Sequence, residues 1–346
     1  MADDNGRVPV LVAFPADPPP ELVAQLTAVS PSIDVIACPF EEDHARRTAR
    51  GRDDEAALAL HPAPTLTDDQ RAALARAEVM LAFDLPAGVI TVAPHLRWVQ
   101  AIGAGVDHYR GAGLDTRVVL TNAAGVAAVP IAEFVIGRLL AVWKRFDVLA
   151  DQQQRHLWKP AYGRQLAGCT IGLIGLGAIG TAVAERARAL GMHVLAVRRT
   201  TKPSPDADEV FGPAELHTVL ARSDAIVLSA PSTRETENLF DAPAFAAMKR
   251  GAVFCNVARG TLVDEDALIA ALDRGHLGAA ILDVTKQEPL PADSPLWAAP
   301  NLHLSPHSSA SPERYLETLF DLFADNLGRY VRGEPLRNVV DLAAGY

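Results

Sequence analysis

At 346 residues the chain is longer than a single hydrophobic core sustains, so its length favours two domains. Its 49% hydrophobic and 21% charged residues give no compositional case for disorder. A formal net charge of -10, with no Lys/Arg-rich run, weighs against nucleic acid and anionic membrane as partners and leaves small molecules as the expected ligands.

The opening MADDNGRVPVLVAF places acids ahead of a short apolar run, the reverse of a secretion signal. No stretch approaches the ~18 apolar residues of a membrane span. A cytoplasmic location is expected, with reduced, buried thiols at Cys38, Cys169 and Cys255, each of which sits in an apolar stretch. Over residues 8–123, short β-rich runs (PVLVAF, IDVIACPF, VMLAF, WVQAIG, RVVLTNA) alternate with helical ones (PELVAQLTAV, DQRAALARAE), the pattern of an open parallel sheet. Residues 41–65 are polar, with Arg46, Arg47, Arg50 and Arg52 among acids, and read as a helix plus a solvated loop. In Gly103-Ala104-Gly105-Val106-Asp107, after the strand WVQAIG, successive amides could cradle a carboxylate. A plain tight turn, with Asp107 capping the next segment, fits equally well.

Residues 131–154 are free of proline and apolar at helical spacing; one long helix is expected, suited to bridging domains or subunits. The strand–helix alternation restarts with CTIGLIG and continues through HVLAV, DAIVLSA, AVFCNVA, GAAILDV and NLHLS, a second doubly wound unit. A last helix over 320–331 precedes PLRNVVD, read as a closing strand or tail. The expected fold class is therefore α/β, with two doubly wound parallel sheets.

Gly175, Gly177 and Gly180, flanking Ala178 and Ile179, spell GLGAIG between an apolar strand and a helix, the context that a dinucleotide pyrophosphate requires. The first glycine makes the turn, the second admits the pyrophosphate, and the third lets helix and strand pack closely. About twenty positions on, where an NAD site carries an acid, stand Arg198, Arg199 and Thr200, which suit a ribose 2′-phosphate; NADP(H) is favoured over NAD(H).

Arg259, Glu288 and His307 each follow a strand of the second unit, at the carboxyl ends where ligands of doubly wound folds bind. Arg259 could hold an oxo-acid carboxylate or carbonyl, or form a surface pair with Asp264 or Glu265. Reduction of a ketone needs a proton on oxygen as hydride reaches carbon, and His307 is suited to donate it near neutral pH. A carboxylate on the other ring nitrogen, here Glu288, would fix the ring and favour its charged form. No spacing of His, Cys, Asp or Glu resembles a metal site.

These motifs, together with AEF at 132–134, LAGCTIGLIGLGAIG, PSTRET, NVARG, LDVTKQEPLP, PLWAAPNLHLSPH and PLRNVVDLAAGY, closely resemble the D-isomer-specific 2-hydroxyacid dehydrogenase family, over nearly the whole chain. The resemblance implies a Rossmann cofactor domain inserted into a flavodoxin-like substrate domain, 123–308 within 1–122 plus 309–346. It implies Arg259 as the substrate arginine, His307 as the catalytic histidine, Glu288 as its support, and Ala104, Gly105 and Val106 as the carboxylate-binding loop. On the cofactor side it implies Pro231, Thr236, Val257, Ala258 and Asp283, the last near the nicotinamide carboxamide. It also implies a homodimer, and reduction of a small 2-oxo acid such as glyoxylate or hydroxypyruvate to the D-2-hydroxy acid. A nucleotide-sensing corepressor on the same fold and a formate- or phosphite-type dehydrogenase are the alternatives.

Overall fold

Runs of Val, Ile, Leu and Ala bounded by Pro, Gly and Asp form twelve strands in the computed structural model, which describes residues 6–51, 54–109 and 111–341. Arg52, the side chain of Asp107 and the last five residues of PLRNVVDLAAGY lie outside that description. The expected pair of doubly wound parallel sheets is present, one in each of two units.

The first unit comprises residues 1–126 and 312–346. Its strands are β1 (Val8–Ala13), β2 (Ile33–Ala37), β3 (Val79–Ala82), β4 (Trp98–Ala101) and β5 (Val119–Thr121), all parallel in the order β2-β1-β3-β4-β5. β1, β3 and β4 are buried along their whole length because helices cover both faces, which is why they read as unbroken apolar runs. Alternation still sorts the side chains: Leu11, Met80 and Val99 pack on one face, Val10, Leu81 and Trp98 on the other. The helix Tyr315–Arg332 closes that second face with Phe320, Phe323 and Leu327, and the Phe323 ring centroid lies 5.2 Å from that of Trp98. Among the described residues, the tail beyond it makes one bridge, Val339 to Thr121, and forms no strand.

The stretch read as a helix plus a solvated loop is instead two helices, His44–Gly51 and Glu55–Leu60, and its charges are not all solvated. Arg50 and Glu42 are almost fully buried, with Arg50 Nη1 2.8 Å from Glu42 Oε2 and donating to the Leu85 carbonyl. The Glu42 contact is one of charge rather than an aligned hydrogen bond. Burial pushes the Glu42 carboxyl above its ordinary range, against the pull of Arg50 and Arg46. Glu42→Ala, which strands Arg50 in the interior, is expected to cost about 3 kcal/mol of stability, read as a lowered urea midpoint. An unchanged midpoint would show that the backbone acceptors alone satisfy Arg50.

The second unit, residues 127–311, contains β6 (Thr170–Ile174), β7 (His193–Val197), β8 (Glu209–Phe211), β9 (Ala225–Leu228), β10 (Val253–Asn256), β11 (Ala279–Leu282) and β12 (Leu302–Leu304). They run parallel in the order β12-β11-β10-β9-β6-β7-β8. Strand order reverses between β6 and β9, and at such a switch point a crevice opens at the carboxyl ends of the strands. The expected single helix over 131–154 is broken: Ala128–Trp143 and Phe146–Gln154 are separated by Arg145 in a left-handed conformation, φ 58°. The break has a partner distant in sequence. The Trp143 carbonyl accepts the Arg164 amide at 2.8 Å, and a Cβ on Gly163 would lie 2.3 Å from that same oxygen.

Candidate active site

β6 runs straight into the glycine turn. Gly175 adopts φ 104°, and a Cβ there would come within 2.8 Å of the Ala230 nitrogen; a Cβ on Gly180 would lie 2.2 Å from the Gly175 carbonyl. These glycines let helix Ala178–Ala189 start hard against the strand, with Gly177 as N-cap and the backbone at Ala178 and Ile179 forming its first turn. The helix N-terminus and its unsatisfied amides suit a pyrophosphate. The Ser229 hydroxyl donates to the Gly175 carbonyl at 3.0 Å, tying β9 to the turn. Beyond β9, the Thr236 hydroxyl donates to the Pro231 carbonyl at 2.8 Å and closes the PSTRET turn.

At the end of β7 the Arg198 amide donates to the Phe211 carbonyl, extending the edge toward β8. The Arg198 side chain is half-buried: Nη2 donates to the Lys202 carbonyl at 2.7 Å, while Nε is buried without a hydrogen-bond partner. Arg199 and Thr200 are exposed beside it. A buried guanidinium donor left unsatisfied is costly, and an anion would satisfy it.

After β10 the chain turns on Asn256, which is fully buried. Its Oδ1 accepts the Ala258 amide at 2.9 Å and its Nδ2 donates to the Arg259 carbonyl at 2.9 Å, so one side chain fixes the turn through Val257 and Ala258 to Arg259. Sequence reasoning did not single out Asn256. Arg259 Nη1 donates to the Ala258 carbonyl at 2.7 Å. The acids of the surface-pair alternative have other tasks: Asp264 caps helix Glu265–Asp273 through the Ala267 amide, and Glu265 accepts the Lys286 amide.

Glu288 and His307 meet. His307 Nδ1 lies 2.9 Å from Glu288 Oε2, and Glu288 Oε1 accepts the Thr285 amide at 3.1 Å. Burial raises the Glu288 carboxyl, but the hydrogen bond and charge of His307, the Thr285 amide and the Arg259 guanidinium together outweigh it and hold Glu288 below the usual carboxylate range. An ionised carboxylate only accepts, so Nδ1 carries the proton in that bond and Nε2 is left for exchange with a substrate oxygen. The three catalytic candidates therefore gather in one unit, with Arg259 close enough for its charge to act on Glu288.

Ala104, Gly105 and Val106 lie in the other unit, after β4. Asn122 Nδ2 donates to the Ala104 carbonyl at 2.9 Å, the Gly103 carbonyl accepts the Ala123 amide, and Val106 is buried in the core. Asp283, at the end of β11, is almost fully buried, and its carboxylate contacts run to Ser305, Ser308 and Ser309.

Residues 136–309 match the family described as D-isomer specific 2-hydroxyacid dehydrogenase, NAD binding domain. The chain belongs to the D-isomer-specific 2-hydroxyacid dehydrogenase family. This 2-hydroxyacid dehydrogenase is similar to glyoxylate/hydroxypyruvate reductase B of Citrobacter koseri, at 33% identity over 288 residues that cover 80% of this chain and 89% of that relative. It is also similar to the solved D-isomer specific 2-hydroxyacid dehydrogenase of Xanthobacter autotrophicus in complex with NADPH and MES, with TM-score 0.80, 30% identity and coverage of 98% and 100% of the two chains. The NADPH-dependent glyoxylate/hydroxypyruvate reductase of Sinorhizobium meliloti, in complex with NADP and sulfate, gives TM-score 0.77 at 28% identity, with coverage of 98% and 100%. The dehydrogenase is an NAD(P)-dependent oxidoreductase that reduces a 2-oxo acid to the D-2-hydroxy acid.

Proposed function

We propose that this chain is an NADPH-preferring glyoxylate/hydroxypyruvate reductase in which His307 protonates the carbonyl oxygen, Glu288 orients His307, and Arg259 binds the oxo-acid carboxylate or carbonyl. The observation that carries the reading is the 2.9 Å bond from His307 Nδ1 to Glu288, which leaves Nε2 as the atom that exchanges a proton with substrate. A bound reduced nicotinamide supplies the hydride. Residues 1–122 plus 309–346 serve as substrate domain in this reading and 123–308 as cofactor domain, and within the substrate domain the backbone of Ala104, Gly105 and Val106 is the candidate carboxylate loop. Gly175, Gly177, Ala178, Ile179 and Gly180 would hold the dinucleotide, with Pro231, Thr236, Val257 and Ala258 as further cofactor contacts and Asp283 near the nicotinamide.

The buried, unsatisfied Nε of Arg198, with Arg199 and Thr200 exposed alongside, supports selection of a ribose 2′-phosphate. NADP(H) in two similar solved structures supports it further. Arg198→Asp combined with Arg199→Ala is expected to reverse the ratio of kcat/KM for NADPH over NADH, by at least about tenfold on the scale of one lost charge-assisted hydrogen bond. An unchanged ratio would remove the phosphate role from these arginines.

The enzyme works as a homodimer in this reading. Phe146, Leu149, Leu157, Trp158 and Tyr162 are all exposed within one short stretch of the cofactor unit, a concentration of apolar surface that a second copy would cover. The location is cytoplasmic, in keeping with three buried free cysteines; among the described residues no helix is long and apolar enough to cross a membrane. The relatives' names give no support to the corepressor or formate/phosphite alternatives.

A further inference from the structure

The turn that carries His307 is held from below by one carboxylate. Asp283 Oδ1 accepts the Ser305 hydroxyl at 2.7 Å, the Ser308 amide at 2.9 Å and the Ser309 amide at 3.1 Å; Oδ2 accepts the Ser309 hydroxyl at 2.5 Å. The Asp283 backbone joins in, its carbonyl accepting the His307 amide at 2.8 Å. Asp283 is 2% exposed and Ser309 7%, so water competes little for these bonds. His307 itself sits at φ 51°, in the left-handed region that residues other than glycine seldom adopt.

From this arrangement we infer that Ser305 and Ser309 are positioning residues for proton transfer, acting through Asp283 to hold His307 on Glu288. The inference rests on the reading of His307 as proton donor. Glu288 is carried on the loop after β11 and His307 on the loop after β12, so the bond between them exists only while the two loops keep their offset. Asp283 belongs to the first loop and takes hydroxyl donors from both sides of His307 in the second. It therefore pins the turn before and after the histidine. Four donors fill the acceptor capacity of the Asp283 carboxylate and a fifth takes its backbone carbonyl, and every one of them comes from the turn 305–309. Removing the Ser309 hydroxyl leaves Oδ2 with only the longer Ser309 amide contact at 3.2 Å. The turn can then tilt, and a misplacement of about 1 Å between donor and substrate costs up to about a hundredfold in rate.

The test is Ser309→Ala, with Ser305→Ala as an independent variant at a less buried position and Ser309→Thr as the hydroxyl-retaining control. Steady-state kcat and KM for glyoxylate, the pH profile of kcat and the Kd for NADPH are measured on each purified protein, with His307→Asn alongside. The expected result is a fall in kcat of about tenfold or more in the alanine variants on the positioning argument above, with an altered pH profile, KM and NADPH Kd within about twofold, and recovery in Ser309→Thr. Wild-type kcat and pH profile in both alanine variants, while His307→Asn is inactive, would overturn the positioning role and leave the proton-donor reading intact. A fall in kcat accompanied by a matching weakening of NADPH binding would also overturn it, assigning the serines to the cofactor pocket. Wild-type turnover in His307→Asn would instead remove the reading on which the inference stands.

Discussion

His307→Asn is expected to lower kcat for 2-oxo acid reduction by about 10²–10⁴-fold while NADPH binds as in the wild type. Asparagine is the informative replacement because it tolerates the left-handed backbone, so the φ of 51° and the amide bond to the Asp283 carbonyl survive. What disappears is a ring that can carry a proton on one nitrogen while the second donates to Glu288 Oε2. In the proposed reading Arg259 still holds the oxo acid, so KM should move far less than kcat. Steady-state kinetics with a parallel NADPH titration check both halves of this expectation. Turnover near wild type would take His307 out of the proton-transfer step.

The second large effect is expected at a glycine, which brings no reactive side chain to the site. A Cβ on Gly260 would lie 2.0 Å from the Thr285 carbonyl carbon, 2.1 Å from its oxygen and 2.3 Å from the Lys286 nitrogen. All three are backbone atoms, so no side-chain rotation relieves the collision. The loop must move, and the Thr285 amide that moves with it is the donor to Glu288 Oε1. Gly260→Ala should therefore both destabilise the protein, by about 1–3 kcal/mol or more for a methyl forced into a packed interior, and lower kcat by about a hundredfold as Glu288 leaves His307. Thermal unfolding and kcat on the same preparation measure the two effects. An alanine variant with wild-type unfolding temperature and kcat would mean that the loop repacks without disturbing Glu288.

Much of the fold is legible in the sequence because the strands of a parallel sheet are buried on both faces and read as short apolar runs. β8 is the exception. Glu209–Phe211 is a three-residue edge strand, only half-buried, and no run of hydrophobic residues announces it. The break at Lys144–Arg145 is invisible for a different reason: the helical pattern continues through it, and the amide that captures the Trp143 carbonyl comes from Arg164. The buried Glu42–Arg50 contact was hidden by the ordinary expectation that charged residues face water.

The site follows the same division. Gly175, Gly177 and Gly180 are legible because turn, close approach and helix start leave little choice of residue, and Arg259, Glu288 and His307 because each stands just past a strand. The residues that hold them in place are not. Asn256, Ser305 and Ser309 are polar residues in turns, where such residues are common for local reasons. Only the three-dimensional placement of Asn256 under the Arg259 turn, and of both serines on Asp283, distinguishes them.

The most direct test of the central claim is the initial rate of NADPH oxidation, and separately of NADH oxidation, by the purified protein with glyoxylate, hydroxypyruvate, pyruvate and a bulkier 2-oxo acid. The account predicts turnover that is fastest with NADPH and with glyoxylate or hydroxypyruvate. No turnover with any of the eight pairs would contradict it.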